Sequence, residues 1–158
     1  MLQRIQTIYI ILFCAVLFIA SFLPFASIVL EGQSTYSFYP TGWESKSSLE
    51  GLKVYPFYSG YLVAVAFGIL MLVNFKKRQK QLRYGMLSYF FVLITLVYMF
   101  LEVSSAEEFL LDNEKNSLKS INYTSSMYLL VASLPIIFLA NRAIKKDEKL
   151  VSSLDRLR

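Results

Sequence analysis

Reactive side chains are scarce in this chain, and the scarcity narrows the chemistry open to it. There is no histidine, and Cys14 is the one cysteine. Histidine-built or thiolate metal sites, histidine-dependent triads and paired-cysteine thiol oxidation therefore lack their ligands, bases or electron relays. No disulfide can form within the chain, and Cys14 says nothing about redox compartment. The bulky Phe13 before it argues against a lipoprotein acceptor. No glycine-rich loop runs into a lysine and a serine or threonine, so no nucleotide site is expected. Glu102 and Asn74 are the polar groups closest to the apolar stretches, and both read as helix-end residues. Ser21, Ser88, Thr95 and Ser133 are dispersed, suited to hydrogen-bonding backbone inside a bundle rather than to lining a path. Without an acid, base and nucleophile constellation, the expectation is a non-enzyme with no cofactor and no metal.

Three groups of residues are better suited to recognition than to reaction. Tyr36, Phe38, Tyr39, Trp43, Tyr55, Phe57, Tyr58 and Tyr61 crowd one region. The plainer reading is an interfacial aromatic belt plus the core of a small hairpin. The sharper one is a docking surface for another membrane protein or a lipid, because aromatic side chains dominate binding hot spots. Lys76, Lys77, Arg78, Lys145, Lys146, Lys149, Arg156 and Arg158 form a basic set that could meet an acidic partner or anionic lipid. Contact with RNA, for example a membrane-bound ribosome or translocon, is the less favoured alternative, and no DNA partner is expected. Gly60, Ala64 and Gly68 recur every four residues along one helical face, where small side chains let two backbones approach. Packing within the chain is favoured there over homodimerisation. Asn122-Tyr123-Thr124 fits the N-glycosylation pattern but lies almost at the membrane, and is read as coincidence.

Four stretches that must carry these residues have no charged side chain at all: 5–30, 54–75, 84–101 and 120–141. About 20 helical residues cross a bilayer core of about 30 Å. The spacing thus predicts an all-α membrane protein: a single domain over 1–158, built as a four-transmembrane-helix bundle. Pro24 and Pro135 are expected to bend the first and fourth spans. Arg4, the 76–83 connection and the tail 142–158 hold most of the lysine and arginine, while the other side has only Lys46, Lys53, Lys115 and Lys119. Positive residues stay inside, so both termini are placed in the cytoplasm. The first span is read as a retained anchor, since its apolar run exceeds a signal-peptide core and only Arg4 precedes it. The external loop 31–53 shows strand-like alternation at Thr35-Tyr36-Ser37-Phe38 and turn chemistry at Pro40-Thr41-Gly42. It is read as a small β-hairpin with its second arm near 52–55. A helical stretch is expected from Ser104 to about Asn113, a tight turn at 76–83, and a basic amphipathic helix over the tail, lying at the membrane interface.

The two ends are the most distinctive motifs. Met1-Leu2-Gln3-Arg4-Ile5-Gln6-Thr7-Ile8-Tyr9, and Arg142-Ala143-Ile144-Lys145-Lys146-Asp147-Glu148-Lys149-Leu150-Val151 followed by Ser153-Leu154-Asp155-Arg156-Leu157-Arg158, resemble a family of small integral membrane proteins of Bacteroidota, a domain of unknown function. The resemblance implies a bacterial inner-membrane location with the aromatic loop in the periplasm. It transfers no catalytic or binding residue. The topology is also similar to that of claudin-like proteins, whose paired loop cysteines are absent here. The expected role is a non-enzymatic accessory or scaffold subunit of a membrane protein complex, with membrane lipid and other membrane subunits as partners. The alternative is a small carrier or lipid-handling protein with a pocket between the spans beneath the aromatic loop.

Overall fold

The computed structural model describes residues 2–30, 35–44, 57–113 and 118–155. It is mostly helical: α1 (Leu2–Ala20), α2 (Phe57–Val73), α3 (Arg78–Asn113) and α4 (Ser125–Asp155), with β1 (Ala26–Leu30), β2 (Thr35–Tyr39), β3 (Gly42–Glu44) and β4 (Leu118–Tyr123) between them. α3 and α4 are long and apolar enough to cross a membrane by length and composition, and α1 and α2 are shorter apolar helices.

α1 stops ten residues before the expected end of the first span, and the stop is local. Ser21 donates its N–H to Leu17 O (3.1 Å) and Phe18 O (3.2 Å), and Phe22 to Ile19 O (3.2 Å), tightening the last turn. The Ser21 hydroxyl adds a bond to Phe18 O at 2.6 Å. Pro24 then removes a backbone donor and disfavours the helical conformation at Leu23, so it ends this helix rather than bending it. Beyond it, β1 buries Ala26, Ile28 and Leu30 and leaves Ser27 and Val29 partly exposed. A two-residue period is invisible to hydropathy when the neighbours are apolar too. The same substitution of strand for helix occurs at the start of the stretch 120–141, where 120–123 belong to β4 and α4 starts at Ser125.

The four strands form one antiparallel sheet in the order β3-β2-β1-β4. Its second hairpin arm is β3, directly after the two-residue turn Pro40-Thr41, with Tyr39 opposite Gly42 and Phe38 opposite Trp43. Gly42 takes φ 128°, a conformation that side-chain-bearing residues rarely adopt. The arm expected at 52–55 lies outside the described residues. One face of the sheet presents Ile28, Leu30 and Tyr36 to Ala106 and Leu110, which lie on the part of α3 beyond residue 101. That extension is the helix expected from Ser104 to Asn113, continuous with the rest of α3.

At the opposite end, the turn between α2 and α3 is tighter than 76–83. Asn74 N–H and its side-chain amide both donate to Leu70 O (3.0 and 2.9 Å), Lys77 N–H closes on Asn74 O (2.9 Å), and α3 begins at Arg78. The tail needs no break: α4 runs through Pro135 and on to Asp155 as one helix. α1 packs along α4, α2 along α3, and α3 against α4.

Candidate functional site

The aromatic group divides once its side chains are placed. Tyr36, Phe38 and Phe57 are buried, so they are interior residues and not a docking surface. Phe25, which the sequence reading passed over, is their centre: its ring lies 5.0 Å from Phe57 and 6.4 Å from Phe38, with Phe38 and Phe57 5.1 Å apart. Edge-on geometry of this kind suits the ring quadrupoles. Trp43 packs on Phe38 at 5.0 Å and is half-buried, its Nε1 enclosed without a hydrogen-bond partner among the described residues. Tyr61 reaches back from α2 to donate its hydroxyl to Leu17 O of α1. The cluster therefore cements the sheet to the helix ends. Tyr39, half-buried, and Tyr58, 50% exposed, are what it leaves accessible, while Tyr55 lies outside the described residues.

Within the bundle, the small residues of α2 meet two neighbours. A Cβ built on Gly68 would come within 2.9 Å of the Phe13 ring and 3.2 Å of Cys14 Sγ on α1. One built on Gly60 would lie 3.0 Å from Thr95 Oγ1 on α3, and Ala64 O accepts the Ser88 hydroxyl at 2.8 Å. The α3 side of this contact was not anticipated. Gln81, Ser88, Thr95 and Glu102 recur every seven residues and all are buried. Gln81 donates to Met71 O (3.2 Å) across to α2, and Thr95 to Phe91 O (2.7 Å) in its own helix. Glu102 thus sits inside α3, enclosed by protein, and is not a helix-end group. The missed signal was the heptad phase of the polar residues, which marks one seam of a helix as clearly as apolar ones do.

The basic residues also separate into two kinds. Lys76, Lys77, Lys145, Lys146 and Lys149 are exposed at the end of the bundle opposite the sheet. Lys76 extends over the Phe75 ring, 5.9 Å from its centroid. Arg78 is half-buried and structural, donating to Asp147 O at 3.0 Å. Asp147 is buried as well and accepts the Gln6 amide on its carboxylate, while Gln6 also reaches Ala143 O at 3.3 Å. One glutamine, one arginine and one aspartate in this way join α1, α3 and α4. Arg156 and Arg158 lie outside the described residues. Among the described residues no three of His, Cys, Asp and Glu come together as a metal ion would need.

Tyr61, Gln81, Ser88 and Thr95 thus spend their donors on carbonyl oxygens, and what is offered outward is an apolar belt capped by lysine and arginine. A family model described as a domain of unknown function matches residues 2–157, nearly the whole chain. No curated protein and no solved structure matches it.

Proposed function

The chain belongs to that family, DUF4293, and we propose that it is a four-span protein of the bacterial inner membrane, serving as a non-enzymatic accessory or scaffold subunit of a membrane assembly. One observation carries the reading. Large apolar side chains face outward on every helix: Ile8, Phe18 and Phe22 from α1 and its turn, Leu62, Ile69 and Val73 from α2, Phe90 and Val97 from α3, Tyr128 and Phe138 from α4. Gln6, Gln81, Ser88, Thr95, Glu102, Ser126 and Ser133 face inward. Only about a third of the apolar windows of α3 and α4 is buried (33% and 28%), whereas a soluble core helix would be mostly covered. Exposed apolar patches beyond a few hundred Å² mark an interaction surface, and a belt around all four helices fits lipid. α1 and α2, at 19 and 17 residues, are at the short end of what a bilayer requires. Each lies along a longer partner, so they cross where α3 and α4 cross.

The orientation follows from charge. The 76–83 region and the segment from Arg142 to Lys149 gather at one end, and retention of positive charge places that end and both termini in the cytoplasm. The sheet then stands outside. The accessory role rests on what the folded chain has left to offer: an accessible Tyr39 and Tyr58 outside and solvent-exposed lysines inside. A carrier's pocket beneath the aromatic residues is disfavoured because Phe25, Phe57 and Tyr61 fill that space. Affinity purification of the full chain in mild detergent is the test. Stoichiometric co-purifying membrane proteins that are lost in a Tyr39→Ala, Tyr58→Ala variant of unchanged stability are expected, and recovery of the chain alone would overturn the subunit reading.

A further inference from the structure

Where α1 meets α4 at the cytoplasmic end, a groove of about 260 Å³ opens between the two helices. Its walls are of two chemistries. Ile5 of α1 and Leu139 of α4 are exposed and apolar, and continue the lipid-facing belt. Arg142 and Lys146 stand one turn apart on α4, both exposed. Among the described residues neither is engaged in an ion pair or a hydrogen bond. The acid in the wall, Asp147, is turned to other partners, its carboxylate accepting from the Gln6 amide and its carbonyl oxygen from Arg78, and the two cations outnumber its one negative charge. Tyr9 faces them from α1, half-buried.

We propose that this groove is a discrete site for an anionic phospholipid of the inner leaflet, with its phosphate between Arg142 and Lys146 and an acyl chain along Ile5 and Leu139. The inference rests on the membrane reading above and adds a ligand to it. Two features favour lipid over other anions. Arg142 is the first charged residue after the uncharged run 120–141, so the cations sit at headgroup depth. The apolar wall directly beneath them serves an acyl chain and is of no use to a free phosphate or an acidic peptide. Basic pockets between helices at this depth are the kind of site that anionic headgroups occupy. Tyr9 adds a hydroxyl donor on the far side of the groove.

The test uses the full chain in nanodiscs or mild detergent, with native mass spectrometry of retained phosphatidylglycerol against phosphatidylethanolamine of the same acyl chains. Wild type and a control changed at basic residues outside the groove, K76Q/K77Q, are expected to prefer phosphatidylglycerol by about ten-fold, in line with two cations near a charged headgroup. R142Q/K146Q should bring the two lipids to parity with an unchanged melting temperature, since both side chains are exposed. Millimolar inorganic phosphate should displace nothing. Parity in wild type, a preference that survives R142Q/K146Q, equal loss in the control, or displacement by phosphate would each overturn the site. Should R142Q/K146Q fail to fold, a photoreactive phosphatidylglycerol on the wild-type chain must label residues 5–9 and 139–146, and labelling elsewhere overturns it. A chain that is monodisperse without detergent would instead refute the membrane reading itself, a separate result.

Discussion

Gly85 has no room for a methyl group. A Cβ there would fall 1.9 Å from Asn141 Oδ1 and 2.7 Å from Met71 Cε, so α3 and α4 touch through hydrogen. Asn141 Oδ1 is buried with no conventional donor among the described residues, and the Gly85 Cα–H points at it, the geometry of a weak Cα–H···O bond between helices. Gly85→Ala should therefore cost about 1–3 kcal/mol, as overpacking does. Ser88→Ala removes one hydroxyl bond to Ala64 O, which in membrane proteins is worth about 0.6 kcal/mol. Unfolding of both variants in mixed micelles checks the order: G85A should be the more damaged, and equal or reversed losses would show that hydrogen bonding rather than contact holds this interface. Some of this was legible in the sequence. Gly60, Ala64 and Gly68 announce a close approach by their own spacing, but Asn141 and Gly85 lie on different helices, and only the fold brings them together. Ser88 and Thr95 looked dispersed because they were not placed in a heptad with Gln81 and Glu102.

The elements were legible where hydropathy and structure share a period, and obscured where they do not. The helical character of α2, α3 and the tail follows from charge-free length and from amphipathic spacing. Ala26–Leu30 does not, because an apolar strand joined to an apolar helix reads as one long run until Ser21 and Pro24 are given their local bonding. β4 was hidden in the same way before α4. The turn Pro40-Thr41-Gly42 was readable, and Gly42 lets the return strand β3 begin immediately. Nothing lies within 4 Å of a Cβ placed on Gly42, so the site isolates backbone conformation from packing. Gly42→Val at φ 128° should destabilise the hairpin by about 1–3 kcal/mol. Hydrogen exchange is the readout: amides of β2 and β3 should lose protection while those of α4 near Ser133 keep theirs. Uniform loss throughout would mean that the sheet and the bundle unfold as one unit.

At the scale of the whole molecule, positive charge and sheet occupy opposite ends, and the proposed topology makes that polarity readable from outside the cell. Glu44, Glu107, Glu108 and Asp112 belong to the sheet end, and Lys76, Lys77, Lys80, Arg83, Arg142, Lys145, Lys146 and Lys149 to the other. Inverting the protein would carry the basic end across the bilayer, at about 2.5–3.5 kcal/mol for each lysine or arginine at mid-depth, whereas the sheet end brings far fewer cations. The existing thiol is easily removed: Cys14 is half-buried on α1, and Cys14→Ser supplies a thiol-free background. In that background, Glu44→Cys and Lys77→Cys replace exposed residues at the two ends. An impermeant maleimide applied to intact cells whose outer membrane has been opened should modify E44C and leave K77C untouched, and disruption of the inner membrane should equalise them. The reverse pattern would invert the topology and move the Arg142–Lys146 groove to the outer leaflet. Equal labelling of both before disruption would remove the bilayer from the account, because only a sealed barrier between the ends can make two exposed thiols differ.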